Sequence, residues 1–121
     1  MSFAEARFGG AVVLTVAGRV DLTNADAFKD ALTAALEAAG VAVVVDMSGV
    51  DYISSAGLRS LMIALRAAKA AGKGLGVAAL TPLVLEIFTI SRFNLVLSLF
   101  PGVRGALEAL SPDGLGKFDA S

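Results

Sequence analysis

Residues Val41 to Val45 read VAVVV, an unbroken apolar run of strand length closed by Asp46. A strand with one face in water alternates apolar and polar side chains, whereas a run with no polar member suits a strand covered on both faces. That requirement points to a sheet with helices packed on it. A second β-branched segment, Ala11 to Ala17 (AVVLTVA), lies between Gly9-Gly10 and Gly18. Glycine punctuation of this kind bounds a strand, and Ser2 to Phe8 would join it through Gly9-Gly10 as a hairpin.

Helical periodicity fills the intervals. Thr23 and Asn24 are N-cap residue types with Asp26 in the first turn, and Ala27, Phe28, Ala31, Leu32, Ala35 and Leu36 follow at helical spacing up to Gly40. After Asp46 the segment MSGVDYIS reads as a loop, leading into a helix from about Ser55 to Ala71. Its apolar face is Leu58, Leu61, Met62, Leu65 and Ala68, its polar face Arg59, Arg66 and Lys69, and Gly72 and Gly74 stop it. Leu75 to Ala79 is a short strand, Thr81-Pro82 starts a helix whose apolar face is Leu83, Ile87 and Ile90, Leu95 to Leu99 is a last strand, and Pro101 opens a helix through Leu110.

The order is ββαβαβαβα. It predicts an α/β fold with a mixed, largely parallel sheet of four to five strands, helices packed mainly on one face and the hairpin at an edge. Residues 1–110 form a single domain in this reading, and the Gly-rich, polar segment 111–121 is a flexible tail.

Composition removes whole classes of function. With 56% hydrophobic and 17% charged residues the chain has enough apolar surface to bury a core, which excludes disorder as its main state. A net charge of −1 argues against nucleic acid, whose binders draw most of their affinity from phosphate contacts, and the basic stripe of Arg59, Arg66 and Lys69 on one helix reads as a solvated face. There is no Cys and no His, so Ser-His-Asp and Cys-His mechanisms, thiolate metal sites and disulfides are excluded. Asp21 and Asp46 read as turn and cap residues rather than an acid/base pair. Gly72-Lys73-Gly74 lacks phosphate-loop spacing and follows a helix instead of opening one, so it reads as a C-cap and turn. The expectation is a non-enzymatic chain without cofactors. The N-terminus has no basic segment ahead of an apolar run, and Val41 to Val45 is far too short to cross a bilayer. Those features predict a cytoplasmic protein without membrane insertion.

The informative stretch is Val43 to Met62, VVVDMSGVDYISSAGLRSLM. A buried strand ends, and two serines stand at the mouth of a helix. Ser54 suits the N-cap, and Ser55 would be the first helical residue with its hydroxyl outward. Gly57 would allow close approach of a backbone or a partner surface. On physical grounds alone, two serines ahead of a helix are most often caps only.

Asp46, Met47, Ser48, Val50, Tyr52, Ile53, Ser54, Ser55, Gly57 and Leu58 stand in register with the signature of STAS domains (sulfate transporter and anti-sigma factor antagonist), and the stretch resembles it. Gly18-Arg19-Val20-Asp21 ahead of a helix, and Leu80-Thr81-Pro82 through Phe88-Thr89-Ile90-Ser91, are similar to two further elements of that family. The resemblance implies a bacterial partner-switching regulator. Its partners would be an anti-sigma factor that is also a serine kinase of the histidine-kinase-like ATPase fold, and a serine phosphatase. Phosphorylation would fall on Ser55. The docking surface would comprise Asp21, Asn24, Ser54, Ser55, Gly57, Arg59 and Met62. The chain departs from the family pattern in carrying Ser54 where an Asp is usual and Ala56 after the acceptor serine. The alternative is a single-domain STAS subunit of a lipid-transport type membrane ABC transporter.

Overall fold

Gly9 takes φ 59°, the left-handed value required of the first residue in a two-residue II′ hairpin turn. Phe8 therefore lies opposite Ala11, and strand β1 (Ser2–Phe8) runs antiparallel to β2 (Ala11–Val20) as expected. The computed structural model describes residues 1–121 and continues β2 through α1 (Ala25–Ala38), β3 (Ala42–Ile53), α2 (Ser55–Ala70), β4 (Gly74–Ala78), α3 (Pro82–Ile90), a 3₁₀ turn (Phe93–Leu95), β5 (Ser98–Phe100), α4 (Val103–Leu110) and α5 (Pro112–Ala120). The sheet has five strands in the order β1-β2-β3-β4-β5, and β2 through β5 are parallel.

Three crossovers step across the sheet in the same direction. With the usual right-handed connection they must leave their helices on one face. Accordingly Phe28 and Leu32 of α1, Leu58 and Leu61 of α2, and Val84 and Phe88 of α3 share one apolar cluster with Val12, Leu14, Val43, Val45 and Val77. The alternate strand residues Ala11, Val13, Val44 and Ala78 point the other way, where Ala106 and Leu107 of α4 cover them. Val43, Val44 and Val45 are each 0% exposed, as a run without a polar member requires.

The inward face of α3 is Val84 and Phe88, whereas Leu83 and Ile90 of its expected apolar face are exposed. Three expectations about the backbone also need correction. The segment 47–53 is not a loop but the second half of β3, paired with β2 as far as Ile53 opposite Val20. Two register shifts, between Thr15 and Ala17 and between Gly18 and Arg19, insert extra residues on the β3 side. These bulges allow Met47, Val50 and Ile53, spaced by three, all to face inward while Ser48, Gly49 and Asp51 stay in water. Strand β5 starts at Ser98, because Phe93–Leu95 closes into a 3₁₀ turn after Arg92 adopts φ 62°.

The third correction concerns residues 111–121, which form a docked helix rather than a flexible tail. Ser111 caps α5, its Oγ accepting from Gly114 N at 3.2 Å, and Pro112 occupies the first turn. Phe118 meets Phe8 edge to face with ring centroids 5.2 Å apart, and Arg104 pairs with Asp119. The helix closes the sheet face that α4 leaves open over β1.

Candidate functional site

Strand β3 outruns β4, whose last paired residue is Ala78 opposite Asp46, so its end projects beyond the sheet beside β2 alone. That projection carries the turn into α2. The amide of Ser54 donates to Val20 O at 2.8 Å, and Ser54 adopts an extended conformation (φ −86°, ψ 172°) before the helix starts. Its Oγ accepts from Gly57 N at 3.3 Å, the bond expected of an N-cap. Ser55 is then the first helical residue and is exposed, as the sequence predicts. No acidic side chain lies in the first turn of α2, so no carboxylate offsets the positive end of the helix dipole there.

The segment Asp21–Asn24 packs alongside as a tight polar knot. Asp21 Oδ1 accepts from Thr23 N at 3.0 Å and from Thr23 Oγ1 at 2.5 Å. Asn24 heads α1 but makes no side-chain cap bond to the helix. It faces backwards, its Oδ1 accepting from Asp21 N at 2.9 Å and its Nδ2 donating to Arg19 O at 2.8 Å. The expected capping by Asn24 is thus replaced by a brace of the β2–α1 turn. The Thr23 hydroxyl, then the Thr23 amide, then Arg19 hold the Asp21 carboxyl below its ordinary value. Arg19 Nε lies 3.4 Å from Asp21 Oδ2, and its guanidinium stacks 4.0 Å above the Tyr52 ring.

The two helix starts are joined internally. Ser60, buried on α2, donates from Oγ to Ala25 O at 2.9 Å, tying α2 to the first residue of α1. A depression of about 630 Å³ lies over this junction, with Ser55, Ala56 and Arg59 on one wall and Leu22, Asp26 and Lys29 on the other. A groove of about 520 Å³ runs down the opposite side of α2, and Ser55, Arg59 and Met62 line it. Ser55, Arg59 and Ile63 thus form the ridge between two hollows.

Gly57 is the exception among the expected contact residues. It is buried, and a Cβ there would lie 2.7 Å from both Ile53 Cγ1 and Val20 Cγ1. Its missing side chain seats α2 on the ends of its own strands and offers nothing to a partner. Two residues not singled out in the sequence belong to the surface. Leu22 is 81% exposed at the crest of the Asp21 loop, and Phe93 lines the groove from across α2. An apolar residue inside a polar turn was the available signal for Leu22, whereas no local pattern marks Phe93.

Known proteins share this fold. Residues 3–99 match the family model described as Mlab, STAS domain. A Bordetella bronchiseptica protein named "Putative anti-sigma factor antagonist BtrV" is 33% identical over 101 residues, spanning 84% of each chain. An anti-sigma factor antagonist from Mycobacterium paratuberculosis superposes with a TM-score of 0.81 at 26% identity, covering 90% of this chain and 92% of that one. The anti-sigma factor antagonist SpoIIAA in its unphosphorylated form shares the fold with a TM-score of 0.74 at 14% identity, over 89% of this chain and 95% of that one. On its family match, its curated relative and its five-stranded mixed sheet, this chain belongs to the STAS domain family.

Proposed function

We propose that this protein is an anti-sigma factor antagonist that works by partner switching, with Ser55 as the phosphorylated residue. The observation that carries the reading is Ser55 itself: an exposed serine at the first position of α2, in register with the family's acceptor serine, on a ridge between two hollows. Unphosphorylated, the protein binds an anti-sigma factor that is also a serine kinase of the histidine-kinase-like ATPase fold. The kinase transfers phosphate to Ser55 Oγ and the complex dissociates, and a serine phosphatase reverses the modification. The contact surface is Asp21, Asn24, Ser54, Ser55, Arg59 and Met62.

Phosphorylation adds a charge of about −1.5 to −2 near neutral pH. At the head of α2 the free amides and the dipole accommodate an anion, worth ~0.3–1 kcal/mol, so the domain stays folded. Arg59, one turn along at i+4, is placed to pair with it. A partner packed on a bare hydroxyl has instead to desolvate a dianion. A loss of ~3–4 kcal/mol weakens binding a few hundred-fold, enough to exchange partners. A binding titration against the cognate anti-sigma factor tests this directly. Ser55→Ala should bind as the unphosphorylated protein does, and Ser55→Asp should be weaker by at least an order of magnitude. Equal affinity for both variants would sink the switch.

The protein carries out no chemistry of its own in this account and acts in the cytoplasm; no helix is long and apolar enough to cross a membrane. Both candidate carboxylates are engaged locally, Asp21 in its turn with Thr23 and Asp46 beside the bulge in β3 with Ser48 N. Nucleotide hydrolysis by the pure protein, lost in Asp46→Asn, would overturn the non-enzymatic part. A second reading, a single-domain subunit bracing the ATPase of a membrane transporter, is favoured by Ser54 in place of the usual Asp. Stable binding to such an ATPase, indifferent to Ser55→Asp, would select it.

A further inference from the structure

The outer face of α2 is a positive island on a chain of net charge −1. It bears Arg59, Arg66 and Lys69 and not one carboxylate. The groove beside it has α2 as one wall and Ser91 and Phe93, from the turn after α3, as the other. Leu58 and Met62 give it an apolar lining, Arg59 and Arg66 stand along one side, and no acidic residue lines it. The hollow on the other side of α2 differs, because Asp26 there offsets Lys29 and Arg59. Flanking Ser91 and Phe93 in the chain, Ile90 is 74% exposed and Leu95 73%. Large side chains left in water at one place mark an interaction surface far more often than isolated ones do.

We infer that this groove receives an amphipathic helix of the partner, apolar where it meets Met62 and Phe93 and acidic along the flank facing Arg59 and Arg66. From Ser55 to Arg66 helix α2 rises about 16 Å, which matches about three turns of a docked helix presenting side chains at i, i+4 and i+7. Charge complementarity fixes the sign of the partner, and continuity with Ser55 fixes its place, since Ser55 lines the same groove. The arrangement also supplies a means of release: a phosphate on Ser55 would stand at the end of the groove and repel an acidic helix. The inference rests on the partner-switching reading for that regulation, but not for the chemistry of the groove.

The test uses two synthetic helical peptides with the same leucine face, one flanked by glutamate and one by lysine, titrated into the full chain and followed by NMR. The expected result is that the glutamate peptide shifts the Met62 methyl and the Ser91 and Phe93 amides, and binds about tenfold more tightly than the lysine peptide. Arg66→Glu should reverse that order. Ile90→Ser and Leu95→Ser, at exposed positions that leave the core intact, should weaken both peptides. Ser55→Asp should weaken the glutamate peptide at low ionic strength and lose its effect in high salt. Equal binding of the two peptides, no binding, or shifts confined to the Asp21 loop would overturn the inference. So would dimerisation or binding to anionic vesicles abolished by Ile90→Ser, which would assign the patch to another occupant. The two readings fail separately. If the anti-sigma factor binds Arg66→Glu normally but not Ser55→Asp, the groove assignment falls and the switch stands; the reverse pattern removes the switch and keeps the groove.

Discussion

Replacing Gly57 by alanine should destabilise this protein, although the same change in most helices does the opposite. Alanine is favoured over glycine within a helix by about 0.8–1 kcal/mol. At Gly57, however, the new Cβ would lie 2.7 Å from Val20 Cγ1 and 2.7 Å from Ile53 Cγ1. Optimal carbon–carbon contact is about 3.5–4.0 Å, so the overlap approaches 1 Å on two sides. Neither neighbour has room to yield, since Val20 is 0% exposed and Ile53 1%. Nor can the helix start retreat freely, because Ser54 N is bonded to Val20 O at 2.8 Å. Overpacking of this kind costs about 1–3 kcal/mol. With two overlaps the cost falls in the upper half of that range, so after the propensity gain the net loss is about 1–2 kcal/mol, which lowers the urea midpoint by roughly 0.5–1 M. Gly105→Ala is the matched control: it lies in α4, and a Cβ there meets nothing within 4 Å. It should raise the midpoint. If Gly57→Ala proves as stable as wild type, or if Gly105→Ala loses as much, the packing argument is wrong.

Three further outcomes follow from the same geometry. Ser54→Ala should cost ~0.5–1 kcal/mol by urea unfolding, at the low end for a cap because the bond to Gly57 N is 3.3 Å, while Ser54→Asp should hold or improve stability. Asp21, with its pKa lowered first by the Thr23 hydroxyl, gives stabilisation present above its unfolded value near 3.8 and lost as pH falls through its lower folded value; an NMR titration should place its midpoint below 3.8 and Thr23→Val should raise it. Deleting residues 111–121 removes the Phe118 contact with Phe8 and uncovers the sheet face over β1, and should lower the thermal midpoint by several degrees where a disordered tail would leave it unchanged.

The order of elements was legible in the sequence because each depends on a local pattern. The polar-free run at Val43 to Val45, the 3.6-residue spacing of α1 and α2, and Ser54 ahead of Ser55 each carry their own signal. What the sequence concealed depends on contacts between distant residues. Ser48, Gly49 and Asp51 are turn-type residues, and only the bulges that align β3 with β2 make a strand of them. Pro112, Gly114 and Gly116 read as helix breakers, yet Pro112 falls in the first turn and Gly114 is buried, with a Cβ there lying 2.7 Å from Phe8 O. Gly57 signals close approach but not what approaches; its neighbours prove to be Val20 and Ile53. In the candidate surface Ser55 and Arg59 were evident from one helix, whereas Phe93 joins them only through the turn that follows α3.

The most direct test of the central claim is to incubate the pure protein with its cognate kinase and ATP, and then measure intact mass and map the phosphopeptide. The account predicts a single phosphoryl group on Ser55, none on Ser54, no modification of Ser55→Ala, and a modified protein that stays folded but no longer holds the anti-sigma factor. No phosphate, phosphate on another residue, or phospho-Ser55 protein that binds as tightly as before would contradict it.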